Sequence, residues 1–176
     1  VTNSADTPLK GLAYLLHAVK EILPLRPVNL TVIGSPKKKG RIETLIKQLE
    51  LGSHIRFTGR IDHEQFVREY AQASIAVVPS LYEGFGLPVG EAMACRVPVI
   101  STTGGALPEV AGDAALMVPP GDTAALKKAI LALLEDPGQR ETLAQKGYDR
   151  VMSEFTWIRC AQKTARAYQE TIDAYH

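Results

Sequence analysis

From Val28 onward the apolar positions fall into short continuous runs separated by longer stretches with helical spacing. The run VNLTVIG is apolar and β-branched and stops at Gly34, which predicts a buried strand. A loop holding Lys37, Lys38 and Lys39 follows. Residues 41–51 then repeat apolar positions at 42, 45, 46 and 49, one helical face, with Gly52 placed to close the helix. HIRFTG, an amphipathic helix over about 62–72 and the run SIAVVPS repeat the step. After a glycine-containing loop, residues 87–95 predict a helix with Pro88 in its first turn, and VPVIS and ALMVPP predict two more buried strands. Ahead of the series, residues 8–23 carry Leu9, Leu12, Leu15, Leu16 and Val19 at helical spacing, and residues 1–4 read as a strand cut short. The last third reads as three amphipathic helices, separated at Asp136-Pro137 and Phe155-Thr156.

Strands that alternate with helices predict an α/β fold, because parallel neighbours need crossovers and the crossovers carry helices. The expected architecture is a doubly wound, mostly parallel sheet with helices on both faces. It forms a single Rossmann-like domain over 1–176 with a helical tail. In such sheets ligands bind beyond the carboxyl ends of the strands, where loops lead into helix N-termini.

Composition narrows the function classes. Of 176 residues, 45% are apolar and 22% charged, the balance of a soluble globular protein. A net charge of +1 provides no broad basic field, so nucleic acid is not an expected partner. No apolar run approaches the roughly 20 residues of a membrane helix, so no integral membrane segment is expected. The N-terminus also lacks a signal-peptide pattern. The expected location is the cytoplasm, with a membrane-peripheral position open to the full-length protein. Cys95 and Cys160 read as small core hydrophobes in a reducing compartment. The four histidines have no metal-ligand spacing, so no metal site is expected. His17, on a leucine-rich helix, reads as a partly buried filler.

The loop with the clearest chemistry is SLYEGFGLPVGE, residues 80–91. Gly84 and Gly86 let backbone approach a ligand closely, and the first turn of the following helix offers N–H groups to an anion. Glu83 and Glu91 frame this anion site. Carboxylates beside a phosphate repel it, so they make sense as acceptors for hydroxyl-rich groups on either side, a sugar and a ribose. A dinucleotide fingerprint would require glycine at 89, where Val89 stands.

EGFGLPVGE resembles the E-x(7)-E motif of the retaining glycosyltransferases of group 1, also called family 4, which have the two-domain GT-B fold. The continuation EAMACRVPVISTTGGALPEVAG and the later VPPGD are similar to that family as well, and the likeness covers nearly the whole chain. The resemblance implies the C-terminal, donor-binding half of a GT-B enzyme. Such an enzyme transfers sugar from a nucleotide-diphospho-sugar with no cofactor, and its partner is an N-terminal acceptor domain that these residues do not contain.

The resemblance further implies catalytic roles for Lys10, on the diphosphate, and Glu83, on the donor sugar. It implies a donor site formed by Ser80, Glu83, Gly84, Phe85, Gly86, Leu87 and Glu91, with Glu91 holding ribose hydroxyls. Gly59, Arg60 and Ile61 would meet the nucleobase, although a plain turn explains them equally. Gly104, Gly105, Pro108 and Glu109 would close the pocket floor, or else form an ordinary turn and helix start. The segment around Phe155, Thr156 and Trp157 would pack back toward the other domain, or else belong to a plain amphipathic C-terminal helix. The family's arginine shortly before the lysine is absent from Thr2-Asn3-Ser4-Ala5-Asp6, which leaves Lys10 and the helix N-terminus to meet the phosphates, with Lys37 to Lys39 as supplements or else a solvated loop. An epimerase-like GT-B domain and a non-catalytic nucleotide-binding module remain alternatives.

Overall fold

The computed structural model describes residues 1–3 and 7–175. Its strands are β1 (Leu30–Val32), β2 (Ile55–Phe57), β3 (Ala76–Val78), β4 (Val99–Thr102) and β5 (Ala115–Val118), and every pairing between them is parallel. β1 pairs with β2, and β3, β4 and β5 pair in that order. The N-terminal segment joins the two groups. Thr2 bridges Val32 in parallel, Thr2 N–H donates to Thr31 O at 3.0 Å, and Val77 N–H donates to Val1 O at 2.9 Å. The spatial order is therefore β2, β1, residues 1–3, β3, β4, β5. Strand order reverses between residues 1–3 and β3, the place where doubly wound sheets bind ligands.

Residues alternate across the sheet, so each strand feeds two cores. Val77 and Ile100 face a cluster built with α1 (Leu12–Ile22), α2 (Arg41–Gln48) and α6 (Thr123–Glu135). Ala76, Val78 and Val99 face a second cluster built with α3 (His63–Ala71), α4 (Leu87–Ala94), α5 (Leu107–Ala111) and α7 (Pro137–Glu154). A Cβ at Gly147 of α7 would lie 2.8 Å from Met93 Cγ, so glycine is what lets α7 lie flat on α4.

Several local expectations shift. The first helix begins at Leu12 rather than residue 8, because Gly11 takes a left-handed φ of 67° after a 3-10 turn at Pro8–Lys10. α2 is closed by Glu50 (φ 57°) rather than Gly52, with Leu51 N–H donating back to Ile46 O at 3.0 Å, a Schellman-type ending. His17 is exposed, since the buried face of α1 is already filled by Leu12, Leu15, Leu16, Ala18, Val19 and Ile22. Cys95 is half-buried and packs against the second core, whereas Cys160 is exposed and is not a core residue.

Cys160 is exposed because its helix, α8 (Trp157–Ala174), has no buried residue at all. Trp157, Ile158, Tyr168 and Ile172 are 52–89% exposed. The Thr156 hydroxyl caps the helix by accepting from Arg159 N–H. Among the described residues no helix is long and apolar enough to cross a membrane.

Candidate functional site

Three loops converge at the carboxyl edge of the sheet. The turn Pro8–Lys10 follows the N-terminal segment, residues 79–86 follow β3, and residues 103–106 follow β4. Each presses on the next through backbone. Leu81 N–H donates to Leu9 O at 2.7 Å, and a Cβ at Gly11 would stand 1.9 Å from Pro79 O. Ala106 N–H donates to Glu83 O at 2.9 Å, and Cβ atoms at Gly104 and Gly105 would lie 2.3 Å from Leu81 O and 2.2 Å from Glu83 O. Glycine is required at these positions by close approach, and Gly11 and Gly105 also hold positive φ.

This packing brings Lys10 and Glu83 together. Lys10 Nζ donates to Glu83 Oε1 at 2.6 Å, with side chains 31% and 12% exposed. The Ser80 hydroxyl donates to the same oxygen at 2.8 Å. Ser80 is itself buried, and its carbonyl accepts from the buried Thr102 hydroxyl, whose oxygen accepts from Gly104 N–H at 3.3 Å. A hydrogen-bonded chain thus runs from the β4 loop through Thr102 and Ser80 to the carboxylate. The sequence reading placed Ser80 in the site but missed Thr102, since a threonine inside a buried strand looks like any β-branched core residue.

The loop then opens. A Cβ at Gly84 would meet nothing within 4 Å, while Phe85 and Leu87 are 54% and 62% exposed. Gly86 takes φ 99° as the N-cap of α4 and, having no side chain, makes no side-chain cap to the first-turn amides of α4. Phe85 meets Phe155 edge to face with ring centroids 6.2 Å apart, tying this loop to the end of α7.

Glu91, one turn into α4, is half-buried. The Asn3 side chain hydrogen-bonds to it, yet its Oε2 is buried with no hydrogen-bond partner among the described residues. Burial raises its pKa above the ordinary glutamate value, against the opposing pull of the Asn3 hydrogen bond and the Lys10 charge. A buried carboxylate oxygen without a donor is costly unless a ligand supplies one.

Gly59, Arg60 and Ile61 lie at the same edge but beyond β2, at the far side of the sheet. Gly59 (φ 70°) bridges Gly34, Arg60 is exposed, and Ile61 packs against the second core. Lys37, Lys38 and Lys39 sit in the loop between β1 and α2, where Lys39 N–H donates to Glu43 Oε2 at 2.6 Å. Ser4, Ala5 and Asp6, where the family's arginine was sought, lie outside the described residues. Among those described, no group of three His, Cys, Asp or Glu side chains is placed to hold a metal ion.

The profile of the family Glycosyl transferases group 1 matches residues 4–150. The chain belongs to this family. It is 36% identical over 172 residues to an MMP alpha-(1->4)-mannosyltransferase from Mycolicibacterium hassiacum, covering 96% of this chain and 42% of that protein. Sucrose-phosphate synthase from Thermosynechococcus elongatus superposes with a TM-score of 0.85 at 34% identity, over 98% of this chain and 46% of that one. HepE from Anabaena, solved in complex with UDP-glucose, has the same fold, with a TM-score of 0.83 at 22% identity over 96% of this chain and 48% of that one. The chain thus spans less than half the length of each, and its fold is the Rossmann-like C-terminal half of a GT-B glycosyltransferase. Its three converging loops lie at the topological switch point of that sheet.

Proposed function

We propose that this glycosyltransferase group 1 domain binds a nucleotide-diphospho-sugar. In the full-length protein it would transfer the sugar to an acceptor hydroxyl with retention of anomeric configuration. The observation that carries the reading is the buried Oε2 of Glu91 at the switch point, which has no donor among the described residues and lies close enough to Lys10 to feel its charge. A ribose hydroxyl is the kind of group that would satisfy it. HepE, which shares the fold, was solved with UDP-glucose.

In this reading the diphosphate lies between the Lys10 ammonium and the first-turn amides of α4, and Glu83 accepts from sugar hydroxyls. The backbone at Gly59, Arg60 and Ile61 borders the nucleobase. Catalysis is positioning plus stabilisation of charge on the departing diphosphate by Lys10 and the amides. The exposed apolar residues of α8 fit packing against an N-terminal acceptor domain, consistent with a chain that spans 42% of the mannosyltransferase it matches. The chain alone would bind donor and barely turn it over.

Calorimetry with UDP, GDP and ADP sugars tests the binding. Wild type should bind at least one donor, and Glu91→Ala should bind it more weakly. Binding of none by wild type overturns the reading. Retention is tested separately by the anomeric configuration of the product made by full-length protein, and an inverted product overturns it.

A further inference from the structure

At the switch point the charges of Lys10 and Glu83 neutralise each other. Lys10 Nζ sits 2.6 Å from Glu83 Oε1, and Ser80 Oγ donates to that same oxygen at 2.8 Å. Neither charged residue can retreat by moving its backbone. Lys10 follows Leu9, whose carbonyl is bonded to Leu81 N–H, and the Glu83 carbonyl is bonded to Ala106 N–H. Ser80 is 1% exposed, its carbonyl accepts from Thr102, and its hydroxyl donates to the carboxylate. Phosphate oxygens that draw on the Lys10 ammonium therefore compete with Glu83 for its charge, and they come to lie beside a carboxylate that is only 12% exposed.

We propose that Glu83, held by Ser80 against Lys10, is an internal competitor for the lysine ammonium, so that the site selects nucleoside diphosphates carrying a hydroxyl-rich sugar over the free nucleoside diphosphate. The inference rests on the donor-binding reading above. When a glycosylated diphosphate enters, its phosphate oxygens take Lys10 and its sugar hydroxyls donate to Glu83, so both members of the broken pair find new partners. A free nucleoside diphosphate takes Lys10 and offers Glu83 no donor. The carboxylate then repels the ligand and reclaims the lysine. Selectivity arises from a penalty built against the wrong ligand as much as from attraction to the right one. The same competition would help expel the nucleoside diphosphate once its sugar has been transferred. Ser80 is the positioning residue, because its proton holds Oε1 within reach of the ammonium.

The test is calorimetry on the full chain with matched pairs, UDP and UDP-glucose, GDP and GDP-mannose, ADP and ADP-glucose. Wild type, Glu83→Gln and Ser80→Ala are compared, with thermal melts to establish that each variant is folded. In wild type one conjugate should bind more tightly than its free diphosphate. Glu83→Gln should bind the free diphosphate about tenfold more tightly than wild type does, the scale of one charged hydrogen bond, while gaining nothing for the conjugate. Ser80→Ala should move the ratio the same way, by about threefold, as the carboxylate loosens from the lysine. If wild type binds both ligands and neither variant tightens the free diphosphate, the competition is refuted and donor binding stands. If wild type binds neither ligand, donor binding fails and the competition fails with it.

Discussion

Replacing Gly11 by alanine would put a methyl group 1.9 Å from Pro79 O and 2.8 Å from its carbonyl carbon. Both atoms are backbone, so no side chain can swing aside. The left-handed φ of 67° costs an alanine about 1 kcal/mol or more. Forcing the two loops apart adds roughly 1–3 kcal/mol, the usual range for overpacking. The combined loss is about 2–4 kcal/mol, which at a urea slope of about 2 kcal/mol/M lowers the unfolding midpoint by about 1–2 M. The same displacement strains the Leu81 to Leu9 hydrogen bond and draws Lys10 away from Glu83. Donor affinity should therefore fall along with stability. Gly84→Ala is the control, since its Cβ meets nothing within 4 Å. Its midpoint should shift by no more than about 0.5 kcal/mol equivalent, while its donor affinity falls because the methyl enters the open side of the loop. A Gly11→Ala protein with the midpoint of wild type would refute the close-approach argument.

Three further outcomes are expected. Burial raises the pKa of Glu91, so the folded state holds that proton more tightly than the unfolded chain does. Wild-type stability should therefore decline relative to Glu91→Gln as pH rises from about 4.3 through the raised value, then run parallel to it. Melting temperatures of both proteins across that range, if parallel throughout, would contradict the assignment. Lys10→Ala should abolish most donor affinity in calorimetry while shifting the urea midpoint by less than about 1 kcal/mol equivalent, because the pair is partly solvated and Ser80 still donates to Glu83. Thr156→Ala should lower amide-exchange protection within α8 by an amount equivalent to about 1 kcal/mol without moving the global melting temperature, because that helix buries nothing in this domain.

Much of the scaffold was legible because its signals are local. Apolar runs such as those around Val77 and Ile100 mark buried strands whatever their neighbours are, and Asp62, Asp122 and Asp136 cap their helices as their side chains allow. The boundaries that moved did so where a left-handed residue intervened, at Gly11 and at Glu50. Periodicity carries no trace of those turns. His17 and Cys160 were misread because helical spacing describes a face without saying whether anything covers it. α1 fills its buried side with leucines before reaching His17, and α8 meets no partner here.

By itself, the sequence determined the alternation of strands and helices, the parallel sheet that alternation requires, and the paired glutamates flanking a glycine loop at a helix start. Each of these depends on residues within about ten positions of one another. Tertiary structure alone decided that Lys10, 73 residues from Glu83, donates with Ser80 to one oxygen of that carboxylate, that Thr102 supports them through Ser80, and that Glu91 buries an acceptor with no donor among the described residues. The physical reason is strand order: the N-terminal segment comes to rest between β1 and β3, and only that long-range placement brings the loop carrying the lysine against the loop carrying the carboxylate.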